Sequence, residues 1–296
     1  MTTRRPTISA VIPAYNSAKT LGTAIESVLD QTVSVDQIIV VDDGSGDSTS
    51  DVARSYSAVH LIRQPNAGPG PARNRAVREA TGDWIAFLDA DDAWLPQKTE
   101  RQIPFLTDDY SLVHSYTLED RPADQTDDAI TFDVLWRYNY IGTSTVMMRR
   151  QVYNELGGFD PDRALIGCED YHLWLRLLHA GHRVYTLREA LTRYTPSEGN
   201  ISSQTEVVMD GHLEFLRRVS EDLQLPKPMI RSKLAALYEE YGRSSLWMRN
   251  LPLARKYLGA ATLRRPTPSN VVHWLATFLP SSVLDLRRRY RAATSA

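Results

Sequence analysis

Asp89, Asp91 and Asp92 close the stretch "WIAFLDADDAWLP" (Trp84 to Pro96), so a chain that reads as a buried strand ends on three carboxylates. Strand side chains alternate with a period of two, so Asp89 and Asp91 can face the same way and converge on one point. Like charges that close raise one another's pKa unless a cation sits between them, and a hard divalent ion with oxygen ligands is the natural candidate. The helix-loop-helix calcium pattern is excluded, because its sixth position demands glycine and here holds Trp94. The same residues also read as a solvated turn, with Asp92 capping a helix that begins near Leu95.

Three more stretches carry groups that could do chemistry. "VVDDGSGDST" ends a strand on Asp42 and Asp43 and turns on Gly44, which lifts a carboxylate to the sheet edge, in reach of a nucleobase N–H or a ribose hydroxyl. Asp-Gly-Ser is also ordinary turn vocabulary. "NAGPGPARNRA" (Asn66 to Ala76) puts Pro71 in the first turn of a helix running to about Ala80. Arg73 and Arg75 then lie near the positive end of its dipole, an arrangement that an anion such as a diphosphate would balance; arginines pointing into water are the alternative. The spacing is neither a Walker loop nor the dinucleotide fingerprint, so ATP hydrolysis and NAD chemistry lose their usual support. "GCEDYHLWLR" sets Glu169 and Asp170 in the first turn of an amphipathic helix. Acids there cap the dipole by default, and a carboxylate in a polar cleft is also what a general base for a hydroxyl nucleophile requires.

The elements that must position these groups alternate in type. Strand-like runs at Ser9 to Ile12, Gln37 to Val41, Val59 to Ile62 and Trp84 to Leu88 are separated by helical spacings, the sign of a parallel sheet with crossover helices. Leu21, Ile25, Val28 and Leu29 mark the first helix, with Ser17 placed to cap it, and Ser48 with Asp51 resembles a capping box for the second. Each strand delivers polar residues at its C-terminal end, where open α/β sheets bind ligands. Farther on, strands are predicted at Ser111 to Tyr116, Thr145 to Arg149 and Arg183 to Leu187. Beyond Thr205 only helices are predicted: Val207 to Val219, Met229 to Met248 and Pro252 to Leu263.

With 296 residues and 42% hydrophobic content the chain can bury a sizeable core. A formal net charge of -2 gives no reason to expect nucleic acid as a partner. The single cysteine, Cys168, excludes an internal disulfide framework and a multi-thiolate metal site, in keeping with a reducing compartment, and it reads as a small buried filler. The N-terminal apolar run stops at Pro13 after a strand's length, too short for a secretory signal or a membrane span, so a cytoplasmic protein is expected. His172 and His179 share a helix without further ligands and read as structural or exposed, and Met147 with Met148 as core strand.

Taken in order, "PAYN", "VDDGS", "NAGPGPARN", "FLDADD", "GGFD" and "EDYHLWLR" resemble the family 2 glycosyltransferases of GT-A fold, which include many bacterial polysaccharide glycosyltransferases. The resemblance covers about Ile8 to Ser203. It implies an α/β fold with a Rossmann-like, mostly parallel central sheet flanked by helices and a C-terminal helical extension. Residues 1–110 would form the nucleotide-sugar-binding half, 111–204 the acceptor-binding half and 205–296 a helical region. The implied reaction is an inverting, metal-dependent transfer from a nucleoside-diphosphate sugar to a hydroxyl of a glycan or lipid-linked acceptor. Pro13, Ala14, Tyr15 and Asp43 would line the nucleoside pocket, Arg73 would face the diphosphate, and Asp89, Ala90 and Asp91 would form the motif holding Mn²⁺ or Mg²⁺. Asp170 would be the catalytic base and Glu169 its neighbour.

The chain departs from the family at "LTRYTPSEGNIS", which leaves Arg193, Ser197 or no residue to take over the usual leaving-group contact, and it lacks the QxxRW signature of processive synthases. A non-catalytic nucleotide-sugar-binding or scaffold protein is the rival reading. A sugar nucleotidyltransferase would need a glycine-rich N-terminal loop, which "IPAYNSAKT" is not. The segment "SNVVHWLATFLPSSVLDLRRRYRAA" pairs an apolar, aromatic stretch with Arg287, Arg288, Arg289 and Arg291. It reads as an element lying on the inner face of an anionic membrane, or as a last packed helix with a solvated basic end.

Overall fold

The computed structural model describes residues 4–120, 130–195, 205–280 and 282–284. Ser197 and Arg287 to Arg291 lie outside these residues. Two compact units divide the chain, Met1–Gln204 and Thr205–Ala296.

The first unit is an α/β domain on an eight-stranded sheet ordered β3-β2-β1-β4-β7-β6-β8-β5. Its leading strands are β1 (Ile8–Ala14), β2 (Gln37–Asp42), β3 (Val59–Arg63) and β4 (Trp84–Phe87), all parallel to one another. Helices α1 (Leu21–Leu29), α2 (Thr49–Arg54) and α3 (Pro69–Glu79) make the crossovers. Strands buried on both faces read as continuous apolar runs, and Val11, Ile12, Ile39, Val40 and Ile85 are wholly enclosed. β1 continues past Pro13 because β4 pairs with it only as far as Val11. The missing N–H falls where the ladder needs no donor, while Pro13 still lies opposite Val41 of β2.

The remaining strands are β5 (Ala93–Trp94), β6 (Leu112–Thr117), β7 (Met147–Arg149) and β8 (Val184–Arg193), with helices α4 (Lys98–Gln102), α5 (Phe132–Arg137), α6 (Arg150–Glu155) and α7 (Glu169–His179). β7 runs antiparallel to β4 and β6, and β5 antiparallel to β8. Three local expectations are corrected. Ser17 does not cap α1: its Oγ donates to the Tyr15 carbonyl, and Thr20 holds the N-cap position without a side-chain bond. Ser48 makes no capping bond to α2 either; Asp47 accepts from the Thr49 N–H at 3.0 Å and from the Ala18 N–H at 3.2 Å, tying the β1 exit to the β2 exit. No helix starts near Leu95, because Ala93 and Trp94 pair with Arg193 and Thr192, and Leu95 donates to the Leu191 carbonyl, so α4 begins only at Lys98.

The second unit holds α8 (Thr205–Asp222), α9 (Lys227–Trp247), α10 (Leu251–Arg264) and α11 (Pro268–Ala276). α9 and α10 pack so closely that a Cβ on Gly242 would lie 2.7 Å from the Leu258 Cγ. Asn250 caps α10 through the Leu253 N–H, and Thr267 caps α11 through the Asn270 N–H. Trp274 of α11 lies edge-on to Phe278, whereas Val272, Leu275, Phe278 and Leu279 stay about half exposed. Among the described residues no helix is long and apolar enough to cross a membrane.

Candidate active site

At the C-terminal ends of β1, β2 and β4 the first unit opens into a cleft of about 860 Å³. Its wall contains Pro13, Ala14, Tyr15, Asp43, Arg73, Asp89, Ala90, Asp91 and Glu169, which brings residues from five separate stretches of sequence together. Tyr15 projects into it with 53% of its surface exposed. Neighbouring Asn16 adopts a positive φ of 49°. Its N–H donates to Ser45 Oγ and its side-chain oxygen accepts from the Gly46 N–H, which locks the β1 exit against the β2 exit turn.

The carboxylates do not converge by strand pleat. β4 ends at Phe87, and Asp89 to Asp92 form a turn closed by the Asp92 N–H donating to the Asp89 carbonyl at 3.1 Å. The turn is held from behind by Ser144, a residue that motif reading did not single out. Ser144 Oγ accepts from the Asp89 N–H at 3.0 Å and donates to Asp92 Oδ2 at 2.6 Å. Asp92 is therefore no helix cap. It is buried, and its other oxygen accepts from the Thr195 N–H at 3.1 Å, linking the acidic turn to the end of β8. Burial, then the charge of Asp89, raises the Asp91 carboxyl above its usual range, with Arg73 opposing the rise. That is the electrostatic setting a cation would relieve. Among the described residues no group of three or more His, Cys, Asp or Glu is placed to hold a metal ion by itself. Two hard-oxygen side chains on one wall of an open cleft suit an ion that completes its coordination with ligand phosphates.

Arg73, five residues into α3, points inward, and its side chain is only 5% exposed. Its Nη1 donates to Glu169 Oε1 at 2.9 Å and its Nη2 to Asp89 Oδ1 at 2.6 Å, and the guanidinium stacks 5.2 Å from the Phe159 ring centre. Arg75 points outward and pairs with Glu79. The cations near the α3 N-terminus are thus balanced by carboxylates of the chain. Asp43 likewise turns to backbone: Oδ1 accepts from the Ala67 N–H and from Gln64 Nε2, and Oδ2 from the Gly68 N–H at 2.7 Å. It shapes the loop in which Gly68, at φ 103°, opens α3.

Glu169 and Asp170 are adjacent but differently engaged. Glu169 spends both oxygens, one on Arg73 and one on the Gly167 N–H at 2.7 Å. Asp170 turns to the other side, where Oδ2 accepts from Thr143 Oγ1 at 3.1 Å and lies 3.5 Å from Asn139 Nδ2, while Oδ1 takes the Tyr171 N–H. Desolvation, then the negative Glu169, pushes the Asp170 carboxyl up to about 7. A carboxylate so raised can take a proton near neutral pH. Asn139 and Thr143 carried no signal in the sequence, since neither stands in a motif. Arg193 is exposed at the end of β8, opposite Ala93. Cys168 is buried, as are Met147 and Met148 of β7, whereas His172 is buried and His179 exposed.

Comparison with known proteins agrees with this architecture. The family described as "Glycosyl transferase family 2" matches residues 9–165, and "Glycosyltransferase like family 2" matches 137–206. A Bacillus subtilis protein whose name assigns it to teichuronic acid biosynthesis, the glycosyltransferase TuaG, is 31% identical over 217 residues, covering 69% of this chain and 84% of that one. The Escherichia coli enzyme WfgD, a UDP-Glc:alpha-D-GlcNAc-diphosphoundecaprenol beta-1,3-glucosyltransferase, is 30% identical over 208 residues, 66% of this chain and 79% of that one. In fold, the chain resembles the Pyrobaculum calidifontis mannosyltransferase PcManGT in complex with GDP-Man and Mn²⁺, at a TM-score of 0.67 and 22% identity, over 99% of this chain and 84% of that one. S. aureus TarS with UDP-GlcNAc follows at 0.62 and 19% identity, over 87% and 81%. The sheet and its flanking helices are those of the GT-A fold, and the chain belongs to the family 2 glycosyltransferases.

Proposed function

We propose that the protein is an inverting, metal-dependent glycosyltransferase that moves a sugar from a nucleoside-diphosphate sugar to a hydroxyl of a glycan or lipid-linked acceptor during the synthesis of a bacterial surface polysaccharide. The observation that carries the mechanism is the different placement of two neighbouring carboxylates: Glu169 lies in the cleft wall, held by Arg73 and the Gly167 N–H, while Asp170 turns to the other side, where Thr143 Oγ1 and the Tyr171 N–H hold it and its raised pKa suits a base. The donor and acceptor classes are supported by the ligands of the two solved structures and by the name of WfgD.

Pro13, Ala14 and Tyr15 form the nucleoside side of the cleft, and Asp43 sets the loop beneath it. Asp89 and Asp91 would hold Mn²⁺ or Mg²⁺, which neutralises charge on a departing diphosphate. Arg73 orients Asp89 through its Nη2 and adds positive potential to the same wall. Asp170 accepts the proton of the acceptor hydroxyl as its oxygen bonds to the anomeric carbon. The bond from that carbon to the diphosphate oxygen breaks, and its electron pair leaves with the nucleoside diphosphate. One displacement inverts the anomeric centre. Because Asp170 faces Asn139 and Thr143, the acceptor enters from that side, and Arg193, at the end of β8, or Ser197 would supply the remaining leaving-group contact. Work on a lipid-linked acceptor would put the protein in the cytoplasm at the inner membrane face, with the segment after Ser269 as one contact. Proton NMR of the product formed from an α-linked donor tests the stereochemistry: a β-linked product is expected, and an α-linked one excludes single displacement.

A further inference from the structure

We infer that the second unit carries a docking surface for anionic phospholipid membranes where the start of α9 meets the end of α10, separate from the segment after Ser269. Two adjoining concavities, of about 640 and 370 Å³, share Lys227, Arg231 and Arg264 in their walls. Arg265 completes the cationic set, and no acidic side chain lines either concavity. All four cations are exposed, and among the described residues none is in an ion pair, although Arg217, Arg218 and Arg243 of the same unit are each paired with a glutamate.

The local structure holds these charges in place against their own electrostatics. Lys227 and Arg231 occupy the opening turns of α9, which has no acidic residue in its first turn, so they face the unfavourable end of the helix dipole. Arg264 is braced, with Nη1 donating to the Ala260 carbonyl at 3.1 Å and its guanidinium 4.8 Å from the Tyr238 ring centre. The turn bearing Arg265 is fixed by wholly buried Asn270, whose Nδ2 donates to the Arg265 carbonyl at 3.1 Å. Beside the arginines stands Leu263, 87% exposed and lining the larger concavity. An apolar side chain held out into water amid four unpaired cations is poorly explained by solvation. It matches a lipid surface, where phosphates meet the cations and the leucine enters the acyl boundary.

The inference uses the proposed acceptor reading only for the location of the substrate, and its test is independent of catalysis. Full-length protein is sedimented with vesicles of phosphatidylcholine alone or with one third phosphatidylglycerol, at low and at 0.5 M salt. Binding to the anionic vesicles is expected, lost at high salt. Each neutralised cation should weaken it about fivefold. Lys227→Gln with Arg231→Gln therefore lowers affinity about 25-fold, and adding Arg264→Gln and Arg265→Gln lowers it by several hundredfold. Leu263→Ser weakens binding without changing the salt dependence. The thermal shift given by Mn²⁺ with a nucleoside diphosphate stays as in the parent for every one of these variants, which shows that they fold. Undiminished vesicle binding by the fourfold variant overturns the inference, as does equal binding to neutral vesicles. Competition by millimolar inorganic phosphate overturns it as well, because the site would then be one for free anions. If binding is lost only in Leu275→Ser with Phe278→Ser, the contact belongs to the C-terminal segment, and this inference fails while the acceptor reading stands.

Discussion

Replacing Arg73 by methionine isolates the interaction on which the cleft depends. The guanidinium forks between Glu169 at 2.9 Å and Asp89 at 2.6 Å, with side-chain exposures of 9% and 34% for the two acids. Removing one member of a buried pair costs about 3–5 kcal/mol, because the partner's charge stays buried. Here the lower end applies, since Asp89 can turn to water and Glu169 keeps the Gly167 N–H, so Arg73→Met should cost about 3 kcal/mol. Adding Glu169→Gln removes the stranded charge, and the double variant should recover about 2 kcal/mol of that loss. Arg73→Lys should recover little, because one ammonium cannot serve both carboxylates in the geometry of a planar fork. The assay is urea denaturation followed by circular dichroism for parent, single and double variants, assembled as a double-mutant cycle. A cost below 1 kcal/mol for Arg73→Met, or strictly additive effects, would refute the view that this arginine neutralises the wall of the cleft.

Other outcomes follow from the same geometry. Asp170→Asn should lower turnover by about a hundred- to ten-thousand-fold with donor binding kept, and the parent rate should rise with pH and level off above about 7, as the base loses its proton. A flat pH profile would remove Asp170 from that role. Ser144→Ala deletes the bonds to Asp89 and Asp92 and should cost about 1–3 kcal/mol, while weakening nucleotide binding only when a divalent ion is present. Wholly buried His114, with Nδ1 on the Ser115 carbonyl and Nε2 on Thr186 Oγ1, has its pKa pushed down by burial to about 4. The unfolded chain therefore takes this proton first as pH falls, so the stability it contributes is complete above about 6.5 and lost towards 4, about 3 kcal/mol in all. The stability difference between parent and His114→Gln should narrow over that window, as read from denaturation midpoints at pH 7 and 4.5.

Much of the sheet was legible because burial on both faces leaves a continuous apolar signature. The runs starting at Ser9, Gln37, Val59 and Trp84 became β1 to β4 with shifts of two residues at most. β5 left no signature, since two residues whose only strand partner lies about a hundred positions away carry no period. β8 was cut short at Leu187 for a related reason: its polar outer half, through Arg193, is held by long-range pairing with β6 and β5. The acidic residues of the cleft could be found because carboxylates at strand ends have few reasons to cluster. Their partners could not: Ser144, Thr143 and Asn139 act through contacts made only once the chain is folded. The inward turn of Arg73 is of the same kind, because α3 fixes its position and not its direction.

Calorimetric titration of UDP and GDP into the parent protein, Asp91→Ala and Asp170→Asn, each with and without Mn²⁺, tests the central claim most directly. A carboxylate turn built to grip an ion beneath a diphosphate predicts that at least one nucleotide binds the parent only with Mn²⁺, that Asp91→Ala loses this binding, and that Asp170→Asn retains it. Equal affinity with and without the ion, or unchanged binding by Asp91→Ala, would contradict it.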